Sequence, residues 1–138
     1  MERRKQAFTL VEMMAVVVII AILAAVIGPR FFGQVNKAQI VRAQKDIETL
    51  KQAVTLYKFH TNRFPAELID LVTEPDDVTG WTGPYLEKKS FKDPWDNKYQ
   101  YRAPGMNDRD FDIWCYGQDG QEGGEGLDAD ITSWEEDE

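Results

Sequence analysis

Residues 8–28 form an almost unbroken apolar run, interrupted by Thr9 and by one charge, Glu12. As a helix these 21 residues reach about 31 Å at about 1.5 Å per residue. That matches the roughly 30 Å hydrocarbon core of a bilayer, so the run can cross a membrane once. Gly28 and Pro29 interrupt the pattern, and a kink or local melting is expected there, because proline removes a backbone donor and crowds the preceding turn. The periodicity then resumes. Ile40, Ala43, Ile47, Leu50, Val54 and Tyr57 recur at steps of three and four, which predicts one buried helical face. Arg42, Lys45, Asp46, Glu48 and Lys51 fall on the solvated side, and Asn62, Arg63, Phe64 and Pro65 end the helix near His60.

Beyond Thr61 the helical period fades. Residues 65–72 suit a short helix, residues 75–84 are rich in turn formers, and Trp81, Tyr85 and Leu86 are the apolar anchors of that stretch. Two strand-like runs follow, at residues 98–102 and 111–116. In the second, Phe111, Ile113 and Cys115 alternate with Asp112, Trp114 and Tyr116, and residues 104–108 read as the connection. The pattern predicts an α+β chain. A long N-terminal helix, membrane-spanning in its first half and amphipathic in its second, packs on a small antiparallel sheet that ends in a C-terminal Gly/Asp loop, a candidate metal-binding loop. The expected segments are residues 1–7, 8–29, 30–60 and 61–138, the last carrying a Gly/Asp loop at 117–130.

Charge and composition narrow the function. The formal net charge is -8, with the acid excess near the C-terminus, which argues against a nucleic-acid-binding surface. One cysteine, Cys115, excludes an internal disulfide, and its apolar neighbours point to a buried, inert thiol. The single histidine, His60, stands at a helix end without a partner motif. There is no nucleophile elbow, phosphate loop or Cys–His pairing, so no enzyme activity is expected.

Three readings of the N-terminus compete: a plain anchor, a secretory signal cut near Ala24 or Ala25, and a short leader (residues 1–7) cut ahead of the apolar run. Glu12 decides between them. A carboxylate within an apolar membrane helix costs about 2.5–3.5 kcal/mol on insertion scales. An anchor or a discarded signal gains nothing from that cost. Cleavage between Ala7 and Phe8 creates a new ammonium, and in a packed filament Glu12 can pair with that amine on a neighbour. Arg3, Arg4 and Lys5 favour a cytoplasmic N-terminus, although Arg30, Lys37 and Arg42 offset the bias.

The segment KQAFTLVE at residues 5–12, followed by a long Val/Ile/Ala run, resembles the N-terminus of type IV pilins and pseudopilins. The resemblance implies a prepilin peptidase that cuts before Phe8 and methylates the new amine. It also implies a globular part on the periplasmic side of the inner membrane. The family carries glycine immediately before the cut, where this chain has Ala7, so slower cleavage is expected. Residues 93–101 (DPWDNKYQY), together with the glycine-rich loop at residues 117–126, resemble the major pseudopilins of type II secretion systems in particular. That likeness implies a structural protomer of a periplasmic pseudopilus that drives protein export. Its partners would be further copies of itself, membrane lipid, the peptidase, minor pseudopilins, the inner-membrane assembly platform and a separate ATPase. The alternative is a minor type IV pilin serving as an adhesin or DNA-uptake module, although a DNA role wants a basic face. A signal-cleaved soluble calcium-binding domain is a third reading.

Residues 119–130 combine four glycines with five carboxylates. Glycines let the backbone aim carbonyls inward, and hard carboxylate oxygens suit Ca²⁺, whose shell takes six to eight oxygens in loose geometry. The spacing is not that of an EF-hand, and a merely solvated acidic loop is the other reading of these residues. The resemblance implies one Ca²⁺ here, with side chains of Asp119, Asp128 and Asp130 as ligands and the carbonyls of Tyr116 and Ser133 as candidates. Leu127 is expected to plug the loop onto the core, and residues 134–138 to form a solvated tail.

Overall fold

The computed structural model describes residues 8–87 and 91–134, with backbone only at 29–32. It divides into two compact units, Met1–Lys37 and Ala38–Glu138. Helix α1, Leu10–Thr61, contributes to both. Its backbone stays helical through Gly28 and Pro29, so the expected melting is absent. Proline forfeits only one hydrogen bond, and its fixed φ is itself helical. In the first unit the apolar side chains of residues 10–27 are exposed, and this part of α1 is long and apolar enough to span a bilayer.

In the second unit α1 supplies one wall of the core. Ala43, Ile47, Leu50, Ala53, Val54 and Tyr57 are all buried, as the periodicity requires, while Ile40 is only half-buried. Leu68, Leu71, Val78, Tyr99, Ile113 and Cys115 close the core from the other side. The short helix expected at 65–72 is a single 3-10 turn, Leu68–Leu71. It is capped by Asp70, whose Oδ2 accepts from the N–H groups of Ala66 and Glu67 at 2.9 and 3.1 Å. Trp81, Tyr85 and Leu86 pack against the core as expected. Trp81 Nε1 donates to the Asp70 carbonyl at 3.0 Å, and His60 Nδ1 lies 2.8 Å from Thr82 Oγ1 and 3.2 Å from the Tyr85 hydroxyl. His60 thus fastens the loop to the end of α1.

The sheet has three antiparallel strands in the order β1 (Gln100–Arg102), β2 (Asp112–Cys115), β3 (Ile131–Thr132). Tyr101 faces Ile113 across β1 and β2, and Cys115 faces Ile131 across β2 and β3. β3, which the sequence reading did not foresee, returns the chain from the acidic loop to the edge of β2. Trp134 is not part of a solvated tail. It is half-buried, 6.0 Å from the Trp114 ring, with the Arg109 guanidinium 4.5 Å above it. The rest of that expected tail, residues 135–138, lies outside the described residues.

Candidate functional site

At the start of α1, Thr9 and Glu12 form a reciprocal pair. The Glu12 carboxylate accepts from the Thr9 N–H at 2.8 Å and from the Thr9 hydroxyl at 3.0 Å, while Thr9 Oγ1 accepts from the Glu12 N–H at 3.2 Å. This is a capping box, which satisfies donors that no intrahelical carbonyl can reach. Its signature, Thr-x-x-Glu ahead of an apolar run, is present in the sequence. Glu12 is therefore presented in a fixed position, fully exposed in this chain, one turn from Phe8, which is 80% exposed. Ala7 lies outside the described residues.

The loop at 117–130 folds back on itself. Gln118 N–H donates to the Leu127 carbonyl at 2.9 Å, Asp128 N–H to the Glu125 carbonyl at 3.2 Å, and Gly123 N–H to Asp130 Oδ2 at 3.1 Å. Gly117 has φ +67, and a side chain there would collide with the carbonyls of Leu127 and Ala129, so the closure requires glycine at this point. Asp119 is exposed, with Oδ1 accepting from the Gln121 N–H at 3.0 Å. Asp128 and Asp130 are half-buried, and Asp130 Oδ1 is a buried oxygen without a hydrogen-bond donor. Among the described residues, no three His, Cys, Asp or Glu side chains converge on one point. Tyr116 packs its ring edge-on to Trp114 at 6.2 Å. Ser133 is bound to β2, its Oγ accepting from the Ile113 N–H at 2.9 Å and its N–H donating to the Ile113 carbonyl at 2.8 Å. Leu127 is half-buried, and Ile131 is the residue that packs on the core from this end.

The turn at 93–97 abuts the loop. Asp93 Oδ1 accepts from the N–H groups of Trp95 and Asn97, both at 2.9 Å, and Asn97 Nδ2 donates to the Gly117 carbonyl at 3.3 Å. Asp93 Oδ2 is buried without a donor. Burial pushes the Asp93 carboxyl above its ordinary range, against the opposing pull of the Asn97 and Trp95 amides. Cys115, fully buried, has its thiol pushed by burial up to about 11, which keeps it protonated.

Asp112 is the residue that alternation misplaced. It sits opposite Ile113 in the pleat, yet it is completely buried. Arg102 Nε donates to it at 2.7 Å, Arg109 Nε at 2.6 Å and Arg109 Nη2 at 3.3 Å, with the Met106 N–H at 2.9 Å. Burial alone would push this carboxyl up. The Arg109 hydrogen bond, the Met106 amide and Arg102 outweigh it and hold the group at about 2. The two guanidiniums also lie over Trp114 and Trp134, at 5.0 and 4.5 Å. The cluster ties the 103–110 loop and Trp134, two residues past β3, to the centre of the sheet.

Comparison with known proteins identifies this arrangement. Residues 30–134 match the family model for type II secretion system (T2SS), protein G, and residues 3–28 match the prokaryotic N-terminal methylation motif. The type II secretion system core protein G of Vibrio cholerae is 40% identical over 138 residues, covering 96% of this chain and 93% of that protein. The Pseudomonas aeruginosa core protein G is 39% identical over 142 residues, covering 98% and 99%. The crystal structure of the major pseudopilin from the type 2 secretion system of enterohaemorrhagic Escherichia coli superposes with a TM-score of 0.59 at 27% identity, covering 75% of this chain and 92% of that one. An apolar helix opened by a Thr9–Glu12 capping box, a three-stranded sheet on its second half and matches along nearly the whole length lead to one conclusion: the chain belongs to the type II secretion system protein G family.

Proposed function

We propose that this chain is inserted in the inner membrane through residues 8–29, with its sheet domain in the periplasm, and polymerises helix-first into a pseudopilus that drives protein export. Family membership makes it a structural pseudopilin and not an enzyme. The observation that carries the polymer reading is Glu12: one carboxylate, held by Thr9 at the start of the otherwise apolar and exposed stretch of α1 up to residue 27. Such a helix gains nothing from an isolated charge in lipid, and gains a counter-ion once a neighbour's freed Phe8 ammonium packs beside it. The partners on this reading are a prepilin peptidase that also methylates Phe8, minor pseudopilins, the inner-membrane platform and its ATPase. Co-expression with a prepilin peptidase, followed by N-terminal sequencing, is expected to give a mature chain starting at Phe8. A start near Ala25 overturns the reading.

Calcium belongs to the same proposal. Ca²⁺ accepts main-chain carbonyls as readily as carboxylates, so a shell here does not require three converging acids. The donorless Asp130 Oδ1 and the inward turn at Gly117 support a cation held by Asp119, Asp128 and Asp130 with carbonyls of Tyr116 and Ser133. A bound ion stabilises the folded state by mass action. A fragment beginning near Arg30 is expected to melt about 10 °C higher in saturating Ca²⁺ than in EGTA. Equal melting temperatures in the two buffers remove calcium from the account.

A further inference from the structure

The charges of this chain are segregated along its length. Residues 30–63 carry seven lysines and arginines against two acids, whereas beyond Arg109 there are eleven acids and no lysine or arginine. The structure gives each pole a shape. Between α1 and the segment leading into the 93–97 turn lies a cleft of about 550 Å³, floored by Leu50, Leu86, Phe91 and Tyr99. Its rim carries Arg42, Lys45 and Lys92 together with the acids Asp46 and Glu87. Lys92 is held by Asp96 at 2.7 Å, and Arg42 lies 3.9 Å from Asp46. The Lys45 ammonium makes no ion pair among the described residues.

The acidic pole includes the exposed segment at residues 122–126. Glu122 and Glu125 are exposed, and side chains built at Gly123 and Gly126 would meet nothing within 4 Å. The segment therefore offers two exposed carboxylates with open space beside Gly123 and Gly126, while Gly124 lies against the Asp128 carbonyl. A contact between different patches of identical subunits is heterologous, and such contacts extend into filaments when the rotation does not close.

We propose that in the filament the acidic loop of one copy, through Glu122 and Glu125, docks at this cleft on a neighbouring copy and meets Lys45, the rim cation that its own chain leaves without an ion pair among the described residues. This rests on the polymer reading above. The occupant is a second copy because the chain itself supplies the complementary charge, and opposite potentials fix register and suppress wrong pairings. Neither glutamate is among the proposed calcium ligands, so the contact is separable from the ion.

The test is a charge swap in the full-length chain co-expressed with a prepilin peptidase, scored by sheared-filament yield. Lys45→Glu, and separately Glu122→Lys with Glu125→Lys, are each expected to lower the yield about tenfold, and the combination to restore at least about half of it. In wild-type filaments a zero-length carbodiimide is expected to join Lys45 of one copy to Glu122 or Glu125 of another, read by mass spectrometry of the conjugated peptides. Single swaps without effect, a combination no better than the weaker single swap, or filaments that give no such conjugate overturn the contact. A wild type that forms no filaments at all overturns the underlying polymer reading and this contact with it.

Discussion

Asp112→Ala is expected to cost about 3–5 kcal/mol of stability, the range measured when one partner of a buried ion pair is removed. A domain of this size has only about 5–15 kcal/mol in total, so a large fraction of its margin would go. The change strands two guanidiniums that are pinned over Trp114 and Trp134, and it frees the Met106 N–H. Arg102 and Arg109 retain roughly a third of their side-chain exposure and can partly rehydrate, so the low end of that range is expected. The pH dependence follows with a definite sign. The folded carboxyl is held at about 2, below its unfolded value, so its contribution is present at neutral pH and is lost as pH falls from about 4 towards 2. Urea unfolding at pH 7 and pH 3 measures both effects. Asp112→Asn should flatten that acid dependence. An Asp112→Ala midpoint close to wild type removes the clamp from the account of what holds the sheet.

How far the sequence could be read depends on where each signal comes from. Ala43, Ile47, Leu50, Val54 and Tyr57 were legible because a helix repeats its buried face every three or four residues, and one face of α1 is buried against a domain. Strand alternation placed Ile113 and Cys115 inside for the same reason. It failed at Asp112, because an acid is buried only when distant residues neutralise it, and neither Arg102 nor Arg109 announces that in local pattern. β3 escaped because two residues, Ile131 and Thr132, are too short a run to show a period; they become a strand only when the glycine loop returns them beside Trp114 and Cys115. Trp134 looked like tail because its partners, Trp114 and Arg109, are 20 or more positions away. The acids of the loop were visible as composition, but their hydrogen bonds, such as Gly123 to Asp130, depend on backbone turns that glycines permit rather than dictate. The Thr9–Glu12 box, by contrast, was fully local and could have been read from its spacing.

That box makes the Glu12 prediction sharper. Glu12→Leu is expected to reduce sheared filaments at least about a hundredfold, since an ammonium left unpaired among packed helices costs several kcal/mol and each 1.4 kcal/mol is tenfold. The same substitution also removes the cap on Thr9, a loss of about 1 kcal/mol. Glu12→Gln separates the two roles. Its amide oxygen can still accept from the Thr9 N–H, so the helix start is kept, while the negative charge is gone. If charge pairing with the neighbour's Phe8 drives assembly, Glu12→Gln fails nearly as badly as Glu12→Leu, although both chains insert and are cleaved normally. If Glu12→Gln polymerises at wild-type yield, Glu12 serves only its own helix, and the counter-charge that links one protomer to the next has to be sought elsewhere.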